Sequence, residues 1–177
     1  MTGASEVVFN PTEVRTHEGR TLLVRECNWD DFAALVEMYK SFQPKRVAQG
    51  LPPPDVPRIA HWLDQLQQES RGLLAFQGQG IVAHAVLCPI SDATVEFTIF
   101  VLQDFRGQGL GTALTRLALN FACEMGFAEV FLSTEVANSA ALGLYRKLGF
   151  HVQNTSFGEC EMRLSIRRAA DERPRAA

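Results

Sequence analysis

Between Thr94 and Thr134 the chain writes a strand, a glycine-crowded turn, a long helix and a second strand. Over Thr94–Leu102, Val95, Phe97, Ile99 and Val101 alternate with Glu96, Thr98 and Phe100, so the two sets take opposite faces of a strand. From Gly109 to Met125, Leu110, Leu114, Leu117 and Phe121 make the stripe of an amphipathic helix. Val130–Thr134 is apolar again. Two strands joined through such a helix pair in parallel, because only a long crossover returns the chain in the same direction. No other part of the sequence needs one. The expected architecture is a mixed α/β layer fold around a mainly antiparallel sheet.

The remaining elements follow from local signals. Glu13–Thr16 and Arg20–Arg25 flank the turn His17-Glu18-Gly19 and predict a β-hairpin. Asn28 is a good N-cap, with Asp30 and Asp31 in the first turn, for a helix to about Phe42 that Pro44 ends. Gly50 to Asp55 holds three consecutive prolines and cannot be helix interior. A second helix is expected from Pro57 to about Gln67. Gly72–Gln77 and Ile81–Cys88 flank Gly78-Gln79-Gly80 as two further strands. Ser139–Leu148 reads as a helix closed by Gly149, and Phe150–Gln153 with Glu159–Ile166 as a final strand pair.

With 177 residues the chain suits one domain. Its expected bounds are 13–166, after an N-terminal arm over 1–12 with a short strand at Val7–Phe9, and before a disordered tail over 167–177. A net charge of −3 argues against broad nucleic-acid binding. No apolar run is long enough for a bilayer, and the N-terminus lacks a signal-peptide pattern. The four cysteines are scattered, with no C-x-x-C pair and no histidine at zinc spacing. They read as reduced thiols of a cytoplasmic protein without a metal.

Arg106, Gly107, Gly109 and Gly111 crowd the junction between strand and helix. Glycines let backbone approach a ligand, and a helix start offers unpaired N–H groups and the positive end of a dipole. The junction is therefore a place to hold a phosphate. It lacks the Gly-Lys-Ser/Thr ending of a nucleotide P-loop, and its glycine spacing is not that of a dinucleotide fold. A second motif follows an apolar strand: Asn138, Ala141, Tyr145, Gly149 and Phe150, with Asn138 capping the helix and Tyr145 two turns on.

Together and in this order, the motifs resemble the GNAT superfamily of acetyl-CoA-dependent N-acetyltransferases. Arg106, Gly109 and Gly111 meet R-x-x-G-x-G/A; the second set meets N-x-x-A-x-x-x-Y…G-F. The resemblance covers about Gly72 to Ile166. It implies a GNAT fold, in which the strand before the loop and Val130–Thr134 splay apart. It implies acetyl-CoA as cosubstrate, with diphosphate on main-chain N–H groups of Arg106, Gly107, Gln108, Gly109, Leu110, Gly111 and Thr112. The pantetheine arm would pair with main chain near Phe100 and Val101, with Asn138 at the same site. Arg106 either contacts phosphate or orders the loop.

Acetyl transfer to an amine needs a neutral amine, and at pH 7 only about one in a thousand or fewer lysine-type amines is neutral. A carboxylate in the cleft takes the proton. Glu96, on the strand leading into the loop, is the candidate base, with Asp92 and Glu135 behind it; an ordinary solvent-facing residue is the other reading. The resemblance implies that a main-chain N–H near Val101 meets the developing oxyanion. It also implies that Tyr145 donates to the leaving thiolate, packing being the alternative role. Cys123 reads as core rather than nucleophile. The acceptor is a primary amine, a small molecule or a protein lysine. Met38–Leu66 and Thr155–Cys160 are the expected acceptor walls, where Tyr39, Phe42, Trp62 and Phe157 could supply aromatic surfaces, although core or helix packing is the favoured role for each. A non-catalytic acetyl-CoA-binding module is the competing function, and a homodimer is compatible with either.

Overall fold

The computed structural model describes residues 7–44 and 52–166. The expected tail disorder, and part of the proline-rich loop, lie outside the described residues. Twelve elements run β1 Thr12–Arg15, β2 Thr21–Glu26, α1 Phe32–Ser41, α2 Val56–Glu69, β3 Arg71–Gln77, β4 Gly80–Pro89, β5 Thr94–Val101, α3 Leu110–Glu124, β6 Glu129–Glu135, α4 Ser139–Lys147, β7 His151–Ser156 and β8 Glu159–Ser165. A short 3-10 turn, Trp29–Asp31, leads into α1, and another, Gln103–Phe105, follows β5.

The strands form one sheet in the order β1-β2-β3-β4-β5-β6-β8-β7. Among the described residues, only β5 and β6 pair in parallel. The sheet has one core on each face. Leu110, Leu114 and Phe121 of α3 and Leu142 and Tyr145 of α4 pack with Val95 and Phe97 of β5. Leu35 and Tyr39 of α1 and Ile59 and Leu63 of α2 pack with Leu74, Phe76 and Phe100 on the other face. The alternation of β5 thus divides between two cores, as its sequence period requires. β4 is buried continuously from Ile81 to Leu87, because helices cover both its faces. Each Leu or Phe so enclosed contributes roughly 1.5–3 kcal/mol of burial free energy.

Two local details show how the sequence sets the helix starts. The Asn28 side chain accepts from Asp30 N–H at 3.0 Å, and Asp31 accepts from Asn28 N–H at 2.9 Å, a reciprocal cap. α2 begins earlier than Pro57, because the Asp55 carboxylate accepts from Arg58 N–H at 3.1 Å. The expected strand at Val7–Phe9 is absent. That segment is pinned by side chains instead: Arg71 donates to Val7 O at 2.7 Å, and Phe9 meets the Phe121 ring edge-on at 5.4 Å.

Candidate functional site

The β5–β6 ladder closes after three pairs, Thr94↔Glu129, Val95↔Val130 and Glu96↔Phe131. Both strands continue without each other. β5 stays on β4 as far as Val101↔Ala83, and β6 stays on β8 as far as Glu135↔Glu159. A wedge therefore opens in the sheet, with its vertex at Glu96 and Phe131. From vertex to Val101 is five residues, roughly 16 Å of extended chain.

Main-chain groups line this wedge. Leu102 N–H donates to Val82 O at 2.9 Å across β4. In an antiparallel ladder the bonded and non-bonded pairs alternate, so Val101 and Ile99 turn their N–H and C=O away from β4, into the wedge. Phe100, expected beside Val101 on this edge, turns its main chain to His84 on β4 and its ring into the α1–α2 core. Ile99 takes its place.

At the open end lies the loop before α3. Gly107 and Gly109 have φ of +74° and +85°, in the left-handed region that costs an L-residue about 1–2 kcal/mol. Gly109 starts α3 without a side-chain cap. The first helical bond is Ala113 N–H to Gly109 O at 3.1 Å. The N–H groups of Leu110, Gly111 and Thr112 precede it and have no partner among the described residues. Gln108 is buried and its Nε2 donates to Asp104 O at 2.7 Å, which fixes the loop from below. Phe105 is buried in the α3-side core and anchors the chain ahead of the loop.

Arg106 is already engaged by main-chain oxygens. Its Nε donates to Val101 O at 2.8 Å, an Nη donates to Gln43 O, and the guanidinium lies over the Phe42 ring, 5.1 Å from its centroid. It fastens the end of β5 and the end of α1 to the loop. Burial lowers its pKa.

Tyr145 and Glu96 stand at the vertex, on opposite faces. The Tyr145 ring meets Phe97 edge-on at 6.4 Å and Phe150 at 5.5 Å. Its residue is 6% exposed, and burial pushes the phenol up to about 12. Its hydroxyl has no hydrogen-bond partner among the described residues. Glu96 is half-buried and pairs with Cys88 on β4. Burial first, and then the Glu96 carboxylate, push the Cys88 thiol up. Asn138 caps α4 by accepting from Ala141 N–H at 3.2 Å, so its side chain is committed to the helix. Of the other candidate carboxylates, Glu135 ends β6 on the far side of the wedge and Asp92 lies in the β4–β5 turn, beyond the closed end.

Of the candidate aromatic residues, Tyr39, Phe42 and Trp62 take the packing role in the core opposite α3. Tyr39, Trp62, Phe42 and Phe100 stack edge-on, with Tyr39 to Trp62 at 5.0 Å and Tyr39 to Phe100 at 5.3 Å. Phe157, at the β7–β8 turn, is fully exposed. Two contacts had no signal in the sequence. The Tyr39 hydroxyl and His84 Nδ1 share a buried hydrogen bond of 2.8 Å, and the His17 ring lies against Gly109.

A sheet wedge ending at an uncapped, glycine-led helix is what a long, extended ligand with an anionic end requires. The Acetyltransferase (GNAT) family model matches residues 32–150. The chain belongs to that family. Human N-acetyltransferase 8B is 39% identical over 75 residues, a match that spans 39% of this chain and 33% of that relative. The GNAT domain of S. lividans PAT superposes with a TM-score of 0.76 at 20% identity, over 88% of this chain and 96% of that one. A GNAT phosphinothricin acetyltransferase from Sinorhizobium meliloti, in complex with acetyl-CoA, gives 0.66 at 19% identity, over 81% and 88%. Among the described residues no cluster of His, Cys, Asp and Glu could hold a metal, and no helix is long and apolar enough to cross a membrane.

Proposed function

We propose that this chain transfers an acetyl group from acetyl-CoA directly to a primary amine, on a small molecule or a protein lysine. The wedge carries this reading: the main-chain groups of Ile99 and the open N–H of Val101 lead from an acid and a base at the vertex to three unpaired N–H groups at α3. The chemistry of these groups suits the cosubstrate. The N–H groups of Leu110, Gly111 and Thr112 would hold the diphosphate, and the β5 edge would hold the two amides of the pantetheine arm.

Acetyl-CoA supplies the acyl group as a reactive thioester. Glu96 accepts the proton that the attacking amine gives up. A β5 main-chain N–H faces the carbonyl oxygen as it gains charge, and Ile99 lies nearer the vertex than Val101. Tyr145 stays protonated and donates to the sulfur as the C–S bond breaks. A phenol at about 12 is a weaker acid than a thiol near 8.5, so its role is to hold a hydrogen bond rather than to deliver a free proton early. Four free cysteines accord with a cytoplasmic site of action.

The test pairs calorimetry with CoA and thiol release from acetyl-CoA, using a panel of amines and a lysine-rich protein. Binding with turnover is expected. Binding without turnover across the panel would mean a non-catalytic acetyl-CoA module. No heat with CoA would end the reading.

A further inference from the structure

The β1–β2 turn reaches across to the loop before α3. His17 N–H donates to Gln108 O at 2.9 Å. The turn is internally braced: Thr16 N–H donates to Arg20 O at 2.9 Å, Arg20 N–H donates to Thr16 Oγ1 at 3.2 Å, and Gly19 N–H donates to Thr16 O at 2.9 Å. A second dock comes from Arg20, whose guanidinium lies over the Phe105 ring, 5.0 Å from its centroid. The His17 imidazole covers Gly109 so closely that a β-carbon there would stand 2.6 Å from Nε2. Nε2 thus sits at Gly109, the residue that opens α3 and directly precedes the three N–H groups without partners. His17 is exposed, so its side chain is open to a ligand.

The charge balance of the loop favours a role for this side chain. Arg106 is engaged by Val101 O and Gln43 O. Arg20 pairs with Glu18 at 3.4 Å. With both arginines engaged elsewhere, His17 Nε2 is the side-chain donor placed to supplement the α3 amides. We propose that the β1–β2 turn is a third wall of the diphosphate site and that His17 donates a hydrogen bond to a diphosphate oxygen. This rests on the acetyl-CoA reading above and adds a residue that neither motif contains.

Calorimetry of the full chain, His17→Ala and His17→Phe with CoA and with 3′-dephospho-CoA tests it. Pantetheine, which has no diphosphate, is titrated in parallel by chemical-shift changes. His17→Ala should weaken CoA and 3′-dephospho-CoA equally, by about tenfold, the usual size for a hydrogen bond to a charged group. Pantetheine affinity should not move. His17→Phe keeps a ring over Gly109 without an N–H, and should be as weak as His17→Ala. The assignment is overturned by unchanged CoA affinity in His17→Ala, by rescue in His17→Phe, by a loss shared with pantetheine, or by a loss larger for CoA than for 3′-dephospho-CoA. Parent protein that bound no CoA would remove the acetyl-CoA reading as well; parent binding with an unaffected His17→Ala removes this inference alone.

Discussion

Gly109 and Gly111 occupy equivalent-looking places in the motif, yet alanine should have opposite effects at the two. At Gly109 φ is +85°, and a β-carbon would also meet the His17 ring at 2.6–3.0 Å. The backbone strain alone costs about 1–2 kcal/mol. The exposed His17 can swing aside, so the ring adds less than a buried clash would. A loss of about 2 kcal/mol lowers the melting temperature by roughly 4–8 °C in a chain of this size. At Gly111 the backbone is helical, and the nearest atoms to a β-carbon are Leu144 Cδ1 at 3.5 Å and Val101 Cγ2 at 4.0 Å, ordinary contact distances. Alanine there should stabilise the protein by up to about 1 kcal/mol through helix propensity. Gly126 supplies the control: its φ is +96°, with nothing within 4 Å of a β-carbon, and it lies past the other end of α3. Scanning calorimetry should rank Gly111→Ala at or above the parent, with Gly109→Ala and Gly126→Ala below it. CoA titration should single out Gly109→Ala, weakened about tenfold or more, while the other two stay near the parent. If Gly109→Ala bound CoA as well as Gly126→Ala, the loop could not be where the diphosphate sits. If it melted with the parent, the strain argument would fail.

Three further outcomes follow from the same geometry. Tyr145→Phe keeps the ring against Phe97 and Phe150, so melting temperature and CoA affinity should hold while kcat falls by about a hundredfold or more; matched losses in stability and affinity would make Tyr145 a packing residue. Glu96→Gln should lower the rate near neutral pH by about a hundredfold or more without changing CoA affinity; an unaltered rate would move the base to another carboxylate. His84 is buried and its pKa is depressed from 6.5 to about 4, so the unfolded chain binds a proton in that interval and the folded one does not. Stability is full above about pH 6.5 and is lost as pH falls toward 4, by about 3 kcal/mol in total. Denaturant melts at several pH values should show this slope, and His84→Asn should flatten it.

The elements most legible in the sequence were those whose period changed abruptly. The step from alternation in β5 to helical spacing in α3 marks both elements and the loop between them, and Asn28 marks its helix start by residue type alone. Strand order was less accessible, although a signal existed. β8 alternates Cys160, Met162 and Leu164 inward, whereas β7 is exposed at all six positions, so β8 lies inside and β7 forms the edge. The start of α2 was obscured because Asp55 follows three prolines that mark a loop. His84 and Tyr39 lie 45 residues apart, and no local pattern brings them together. His17 is hidden for the same reason: its partner, Gly109, belongs to an element that only the assembled sheet places beside the first hairpin.

Arg106 shows how a motif can be visible while its work is not. Its residue type and position suggest a phosphate ligand, but its guanidinium holds Val101 O and Gln43 O. The consequence lies on the strand rather than in the loop. Both polar groups of Val101 face the wedge, and the arginine satisfies the carbonyl while leaving the N–H open. The same side chain ties α1, from the core opposite α3, to the loop that α3 begins. The open end of the wedge therefore cannot close by β5 sliding onto β6 without breaking these bonds. Sequence reports the motif's arginine because a long side chain with several donors can span three elements at once. The backbone amides that would meet the ligand carry no residue signature, apart from the glycines that leave them uncovered.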